Sequence, residues 1–550
     1  MNLPGGTQVP LGAQAPGVLA LAPSPDAVPA VRVWSHPRGE EDSIAHAYAR
    51  HGHDVAHHIP GPFAFVIQDH RRGRVLIGRD PVGSRAAYFR LVGAEVECHF
   101  SLVPFAQARS AKVNQRWLAC YLEQLPVPRH ETAFSGVSEV MPGEMVVISS
   151  RSVQTRRWHA FDFSVDDSAP LADHAVKYRE AVIRATGRPR SHVGVKVGIA
   201  AQDAAVLAAA VAGRPEYDPR LCGFGIANFV NYRDHILDLA VRLRLSRVEL
   251  IMGWPGSGTT WAHWYRVGAR ALGFPPPHGV LLQVPLLEGC RALDVQSFLA
   301  AGRGEEIRQV DNREDPRWNW VRPGLHRGSA LFSHAARLVP RRRRKPTWRP
   351  GPLISRAVAE DFGLYAAAET AAAARRRRFH ETGNWALGQD GFGFRVVDRL
   401  TALVGIGNHF GVDVRLPLHD PAALRLLVAT RPLPAGVLVR GHGLLSRAFP
   451  EAVDPDIDWV SRSRTGAEQS KTSAESDAAR DGRMRFLRGG IRPALLGLLD
   501  QESLQRKLDR MAGKGAFESP QVSSLQYIHN ATEFAHVEAA NHWLEEWDLE

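Results

Sequence analysis

Apolar and polar positions follow two different periods along the chain, and the first period is that of strands. Between residues 60 and 160, short apolar runs are separated by turn residues. The clearest case is the run at 63–67, which is followed by the turn His70-Arg71-Arg72-Gly73 and a second apolar run at 74–79. This pattern predicts a β-hairpin, and further strands are expected at 87–89, 96–100 and 145–148.

The period changes to that of helices after a small, acidic stretch near residues 162–170. Helices are predicted over 171–186, 203–212, 232–245 and 260–272. Strands are predicted between them, over 193–199, 221–226, 248–252 and 279–284. This alternation is typical of a doubly wound α/β domain with a parallel sheet. Residues after about 300 are predicted to be mainly helical, with a Pro/Arg-rich interruption near 339–352.

Length and composition indicate a globular protein with more than one core. The chain has 550 residues, of which 44% are hydrophobic and 23% charged, and this balance argues against wholesale disorder. No apolar run is long enough to cross a membrane, and the N-terminus lacks the charge pattern of a signal peptide. The four cysteines are far apart and form neither a CxxC pair nor a disulfide framework. These features together predict a cytoplasmic protein.

The formal net charge of +11 is concentrated in two arginine runs, at 341–345 and 375–378. Such runs could contact phosphates or an acidic peptide, although they are more often a solvated basic insertion. Because no helix-turn-helix, zinc-finger or RNA-binding signature accompanies them, the sequence does not predict a nucleic-acid partner.

Several short strings resemble the asparagine synthetase superfamily, which includes asparagine synthetases, β-lactam synthetases and lasso peptide cyclases. Residues 61–65 (GPFAF) resemble its G-x-F-A-F strand, and 79–83 (RDPVG) resemble its R-D-x-x-G turn. Residues 411–420 (GVDVRLPLHD) are similar to G-x-E-x-R-x-P-x-x-D, and 462–466 (RSRTG) to a basic R-x-K-x-G loop.

The resemblance implies an α+β, β-rich domain like an Ntn hydrolase, followed by an α/β domain like a PP-loop ATP pyrophosphatase with a helical C-terminal part. The domains are then a loose leader at 1–30, an amidotransferase-like domain at 31–165 and a synthetase-like domain at 166–550. A basic insertion of about 300–390 most resembles lasso cyclases of high-GC bacteria.

Glutamine hydrolysis in this family requires an N-terminal cysteine, whose thiolate attacks the amide. Residue 2 is Asn2, and the first cysteine is Cys98. A carboxamide cannot act as that nucleophile, so we predict that glutaminase activity is absent. The first domain is then expected to have a structural role.

The family's phosphate loop, S-G-G-x-D-S, corresponds to residues 198–203 (GIAAQD). The resemblance makes Gly198, Gln202 and Asp203 the candidate nucleotide-binding residues, with ATP and Mg²⁺ as cofactors if the protein is active. Gln202 replaces the metal-binding aspartate, and Asp203 is either a displaced metal ligand or, more commonly, a helix-capping residue. In the second phosphate segment Glu288 falls on the usual metal-binding aspartate, and it is equally interpretable as a surface carboxylate.

A third group of candidates lies late in the chain. Asp413 stands where the family has a glutamate that orients or deprotonates the attacking amine, with Arg415 as its neighbour. Arg464 stands where a lysine meets charge developing on the leaving phosphate. The alternative is an Asp413–Arg415 ion pair that holds a loop.

Two functions follow from these residues. The first is an ATP- and Mg²⁺-dependent amide-forming ligase of natural-product biosynthesis, acting on a precursor peptide or a small amino-acid-like substrate. The second is a catalytically silent relative, a scaffold or peptide-binding partner of an active ligase. The loss of the nucleophile and of both phosphate-binding sequences motivates the second.

Overall fold

A computed structural model describes the better part of the first half of the chain and separate segments of the second half. The described residues are 17–20, 30–36, 39–108, 110–123, 125, 129–159, 169–187, 193–196, 201–214, 221–226, 230–245, 248–251, 280–282, 354–370, 413–429, 443–453, 490–512, 537, 540–541 and 544. The predicted helix at 260–272 and both arginine runs lie outside them.

The first domain is built on two antiparallel sheets. Its strands are β1 (Gly17–Ala20), β2 (Val31–His36), β3 (Ala64–Asp69), β4 (Arg74–Arg79), β5 (Tyr88–Val92), β6 (Glu95–His99), β7 (Ser138–Glu139), β8 (Glu144–Ser149) and β9 (Val153–Arg157). One sheet has the order β1-β6-β5-β7 and the other β2-β3-β4-β8-β9. The predicted hairpin is confirmed as β3 and β4, which pair from Ala64↔Arg79 to Asp69↔Arg74.

Part of the segment predicted to be a loose leader is instead a strand. β1 pairs in antiparallel register with β6, from Gly17↔Cys98 to Ala20↔Glu95. Its flanks are rich in Gly and Pro, which is the composition of turns, so the local sequence did not indicate a strand. The partner strand lies more than seventy residues later in the chain, and pairing with it holds residues 17–20 in a strand conformation.

The first domain has four layers, because side chains alternate along each strand and each sheet packs on both of its faces. Ala64, Val66, Val75 and Ile77 of one sheet meet Phe89, Val96 and Cys98 of the other. The opposite face, with Phe65, Ile67 and Leu76, packs against helix α1 (Glu41–His51) and the 3₁₀ helix Gly52–His58. Beyond the other sheet, Tyr88 contacts the helical layer of α2 (Val103–Gln107) and α3 (Gln115–Leu122). The order is therefore helix, sheet, sheet, helix.

A close contact inside this domain explains one glycine. Phe65 stands directly opposite Gly78 in the β3–β4 register. A Cβ built on Gly78 would lie 2.3 Å from the Phe65 Cζ atom. The ring therefore occupies the space that any larger residue at 78 would need.

A five-stranded parallel sheet follows the first domain. Its strands are β10 (Val193–Lys196), β11 (Leu221–Ile226), β12 (Val248–Ile251), β13 (Val280–Leu282) and β14 (Asp413–Arg415). The order is β12-β11-β10-β13-β14, so the direction of strand addition reverses beside β10. Helices α4 (Leu171–Thr186), α5 (Ala201–Ala212) and α6 (Val230–Arg242) accompany it. The four predicted strands are observed, with shorter bounds where neighbouring residues are not described.

The remaining helices are short, and some of them complete a core with the first domain. Among the described residues they include α7 (Arg356–Asp361), α8 (Pro421–Ala429), α9 (Gly443–Ala448), α10 (Pro493–Leu496) and α11 (Gln501–Ala512). Leu118 on α3 belongs to one buried cluster with Ala359, Leu495 and Leu544. We call this cluster the shared core, because residues from both ends of the chain form it.

Candidate functional site

The R-D-P-V-G string is a hydrogen-bonded turn built around Asp80. One carboxylate oxygen, Oδ1, accepts from the backbone N–H groups of Val82, Gly83 and Ser84 at 2.9, 2.8 and 3.2 Å. The other, Oδ2, accepts from the N–H of Arg85 at 3.1 Å. Because Asp80 is fully buried, this carboxylate serves the turn and is not open to a ligand.

Arg79, the residue before it, ties the turn to β7. Its guanidinium is fully buried and forms an ion pair with Glu139. It also donates to the carbonyl oxygens of Val140 and Gly83, at 2.8 and 2.9 Å. The Arg-Asp string that resembled a family motif is therefore a structural device in this domain.

Neither described cysteine side chain is placed to act as a nucleophile. Cys98 and Cys120 are free thiols with exposures of 0% and 1%. Burial raises the pKa of both thiols, that of Cys120 to about 11. A thiol must ionise to attack an amide, so these groups are unsuited to glutamine hydrolysis near neutral pH.

A buried charged cluster on β5 and β6 was not foreseen from the sequence. Glu97 forms an ion pair with Arg90 and a hydrogen bond with the ring of His99, whose Nε2 lies 3.0 Å from Glu97 Oε1. The His99 ring also meets the edge of Phe105 at 4.9 Å between centroids. Burial lowers the pKa of His99, while Glu97 opposes that effect.

The cluster does not assist the neighbouring thiol. Side chains alternate along a strand, so Glu97 and His99 point to one face and Cys98 to the other. Cys98 belongs to the core between the sheets, whereas His99 packs towards α2. The sequence signal that could have revealed this cluster is a titratable residue at every second position of the strand, at 95, 97 and 99.

Two of the predicted nucleotide-site residues lie in the first turn of α5, and one of them is fully buried. α5 begins at Ala201, five residues after the end of β10, so Gln202 and Asp203 lie near the carboxyl end of that strand. Asp203 is 0% exposed. Its helix packs against α4, α9 and the 3₁₀ helix Pro417–His419. In this arrangement the Asp203 carboxylate is inside the protein.

Asp413 and Arg415 lie on β14, at the edge of the same sheet. Asp413 pairs with Val280 and Arg415 with Leu282, and Leu282 in turn pairs with Val195 of β10. The two residues are two positions apart and therefore share one face of the sheet. Arg415 is half-buried and ends its strand, at the edge where ligands bind in many α/β proteins.

The last residue of the late string caps a helix. Asp420 Oδ1 accepts from the N–H groups of Ala422 and Ala423, at 2.9 and 3.4 Å, at the start of α8. Burial raises the pKa of Asp420, and those backbone hydrogen bonds oppose the rise. Gly198, Glu288 and Arg464 lie outside the described residues, so their predicted roles remain predictions.

Asp203 is the one predicted metal ligand that lies within the described residues. Within them, no group of three or more His, Cys, Asp or Glu side chains is placed to hold a metal ion. Asp203, the described carboxylate predicted as a metal ligand, is enclosed by packing. We therefore derive no chemical step through a bound metal or nucleotide.

Comparison with known proteins identifies the first domain. Residues 35–159 match the family of the glutamine amidotransferase domain. This match covers less than a quarter of the chain and coincides with the four-layered domain described above. The chain thus contains an amidotransferase-like domain, and the match does not extend into the parallel sheet.

Similar solved structures include two enzymes. One is described as the allosteric regulatory enzyme of purine biosynthesis, with 12% identity, a TM-score of 0.17, and coverage of 42% of this chain and 61% of that one. The other is glutamine phosphoribosylpyrophosphate amidotransferase from B. subtilis, complexed with ADP and GMP, with 12% identity, a TM-score of 0.17, and coverage of 43% and 63%. The chain thus spans about three fifths of the length of these structures. No curated protein matches.

Among the described helices none is long and apolar enough to span a membrane.

Proposed function

We propose that this amidotransferase-related protein lacks glutaminase activity and serves as a peptide-binding partner of an amide-bond-forming ligase. One observation carries the proposal: the described thiols and the described carboxylate predicted as a metal ligand are inside the protein. Asp203, Cys98 and Cys120 have exposures of 0%, 0% and 1%. A nucleophile or a metal ligand must reach its substrate or ion, and these side chains do not.

The preserved architecture supports a binding role. The four layers of the first domain and its Arg79–Asp80 turn are intact. A domain that has lost its chemistry and kept its core can still present a surface to a partner. The free thiols of Cys98 and Cys120 support action in the cytoplasm.

A second candidate is favoured by the parallel sheet. Its strand order reverses beside β10, and Asp413 and Arg415 share a face of β14 two strands away. The asparagine synthetase resemblance would then make the protein an ATP- and Mg²⁺-dependent ligase, acting on a precursor peptide or a small amino-acid-like substrate. In that case the amine would come from the substrate itself rather than from glutamine.

Two measurements on the full-length protein separate these functions. The first follows glutamate release from glutamine, and we expect none above the buffer rate. The second is a calorimetric titration with Mg²⁺-ATP up to millimolar concentration, for which we expect no binding heat.

A control variant makes the titration decisive. Arg415→Ala removes the cation at the carboxyl edge of the sheet, whereas Arg356→Ala removes an exposed cation on α7. ATP binding that weakens only in Arg415→Ala would favour the ligase and contradict the silent role. Glutamate release by the unmodified protein would contradict both functions.

A further inference from the structure

The outermost strand of the larger antiparallel sheet is open to solvent along its length. β9 is the last strand in the order β2-β3-β4-β8-β9, and all five of its residues are exposed. Within the described part of the chain, no strand pairs with its outer side. We call this outer side the β9 edge.

The register shows which backbone groups face outward. The N–H of Ser149 donates to the carbonyl of Ser152, and that of Trp158 to the carbonyl of Gly143. These two contacts mark hydrogen-bonded pairs at both ends of the β8–β9 ladder, and such pairs recur at every second position. Hydrogen bonds to β8 therefore fall at residues 154 and 156. The N–H and C=O groups of residues 153, 155 and 157 point towards the β9 edge.

The side chains around this edge are basic. From residue 145 to residue 161 the chain has no Asp or Glu, and it has three arginines: Arg151, Arg156 and Arg157. The Arg156 side chain is 53% exposed and pairs with Asp54 of the neighbouring 3₁₀ helix. A strand added at this edge would lie next to positive charge.

The edge is also regular, which separates it from edges that are protected against pairing. Protected edges commonly carry a proline, a bulge or a very short strand. β9 pairs with β8 without interruption over five positions, and Val153 and Thr155, at outward positions, favour β structure. The arginines beside the β9 edge discourage two such edges from pairing with each other, because their charges repel. The same charges favour a partner of opposite charge.

We propose that the β9 edge binds an acidic, extended peptide as an additional antiparallel or parallel strand. Backbone hydrogen bonds from residues 153 and 155 provide affinity, and the arginines select acidic side chains. This inference rests on the proposed peptide-binding function and specifies the surface that performs it.

The test uses the full-length protein and a short fluorescein-labelled peptide of alternating Glu and Thr, followed by fluorescence anisotropy. The same peptide with Lys in place of Glu is the charge control. We expect the acidic peptide to bind and the basic one not to bind. Affinity for the acidic peptide should fall as salt is added, because exposed charges are screened.

Variants at Thr155 test the strand geometry. Thr155→Pro removes one outward N–H and no ladder hydrogen bond to β8, so a folded protein with about tenfold weaker binding is expected. Thr155→Val keeps the backbone and is expected to bind as the original does. If Thr155→Pro proves unstable by thermal melting, Arg157→Ala provides the second test, with Arg116→Ala on α3 as its control.

Several outcomes would overturn the proposal. They are no binding of the acidic peptide, equal binding of the basic peptide, and equal affinities of the proline and valine variants. Equally effective competition by polyuridylate would indicate unspecific attraction of anions. Binding of the acidic peptide that ignores the β9 variants would leave the partner function standing and refute only this surface. ATP turnover would refute the proposed function without affecting the edge.

Discussion

The burial of Cys98 and Cys120 predicts that both thiols resist alkylation in the folded protein. The pKa of Cys120 rises from 9.0 to about 11, so near pH 8 its thiolate is about 100-fold scarcer than that of an ordinary thiol. With 1% exposure, Cys120 also needs a local opening to meet the reagent, which for core elements costs at least several kcal/mol. Burial causes both effects, so they are not multiplied, and each alone predicts alkylation slower by about two orders of magnitude or more.

The assay treats the full-length protein with iodoacetamide near pH 8 and follows each cysteine-containing peptide by mass spectrometry. A Ser150→Cys variant, in the exposed β8–β9 turn, supplies a reference thiol in the same protein. Urea should make Cys98 and Cys120 react at the reference rate. If either residue reacts in native buffer within about tenfold of the reference, the argument that these thiols are inaccessible is refuted.

Three further predictions concern the first domain, and hydrogen exchange of β3–β4 peptides in the full-length protein measures each one. Gly78→Ala should destabilise the domain by about 2 kcal/mol because its methyl group meets the Phe65 ring, and Phe65→Leu in the same chain should recover part of that loss. Failure of the second substitution to compensate would contradict the contact. Asp80→Ala leaves the four N–H groups of its turn without their acceptor and should cost about 3 kcal/mol, whereas an unchanged exchange rate there would show that solvent satisfies them. Burial would raise the pKa of Asp69, but hydrogen bonds from Arg72 and Tyr48 lower it overall, so Asp69 stabilises the fold above its ordinary pKa of 3.8. The destabilisation by Asp69→Asn should therefore shrink as the pH falls through and below that value, and a difference independent of pH would contradict this assignment.

Local periodicity predicted the helices and strands whose conformation is indicated by their own apolar pattern. The β3–β4 hairpin has a short turn between two apolar runs, and α4 places its apolar residues on one helical face, so its predicted bounds of 171–186 match. β1 and β14 depend on partners far away in the chain, β6 and β13 respectively.

The sequence placed the candidate residues better than it predicted their surroundings. Asp203 was expected at the start of a helix after the first parallel strand, and the structure agrees. Its complete burial depends on the packing of α5 against α4, α9 and residues 417–419, which no local pattern reveals. The burial of Cys98 could have been predicted from the sequence, because Val96, Cys98 and Phe100 are two positions apart and therefore share one apolar face.

The shared core has a consequence for how the protein is made. Leu118 leaves the ribosome more than four hundred residues before Leu544, its neighbour in the same buried cluster. At about 5–20 residues per second the interval is on the order of tens of seconds, during which the C-terminal members of this cluster are missing. The shared core is therefore complete only after Leu544 has been synthesised, and until then α3 has only its contacts within the first domain and with the segments already made.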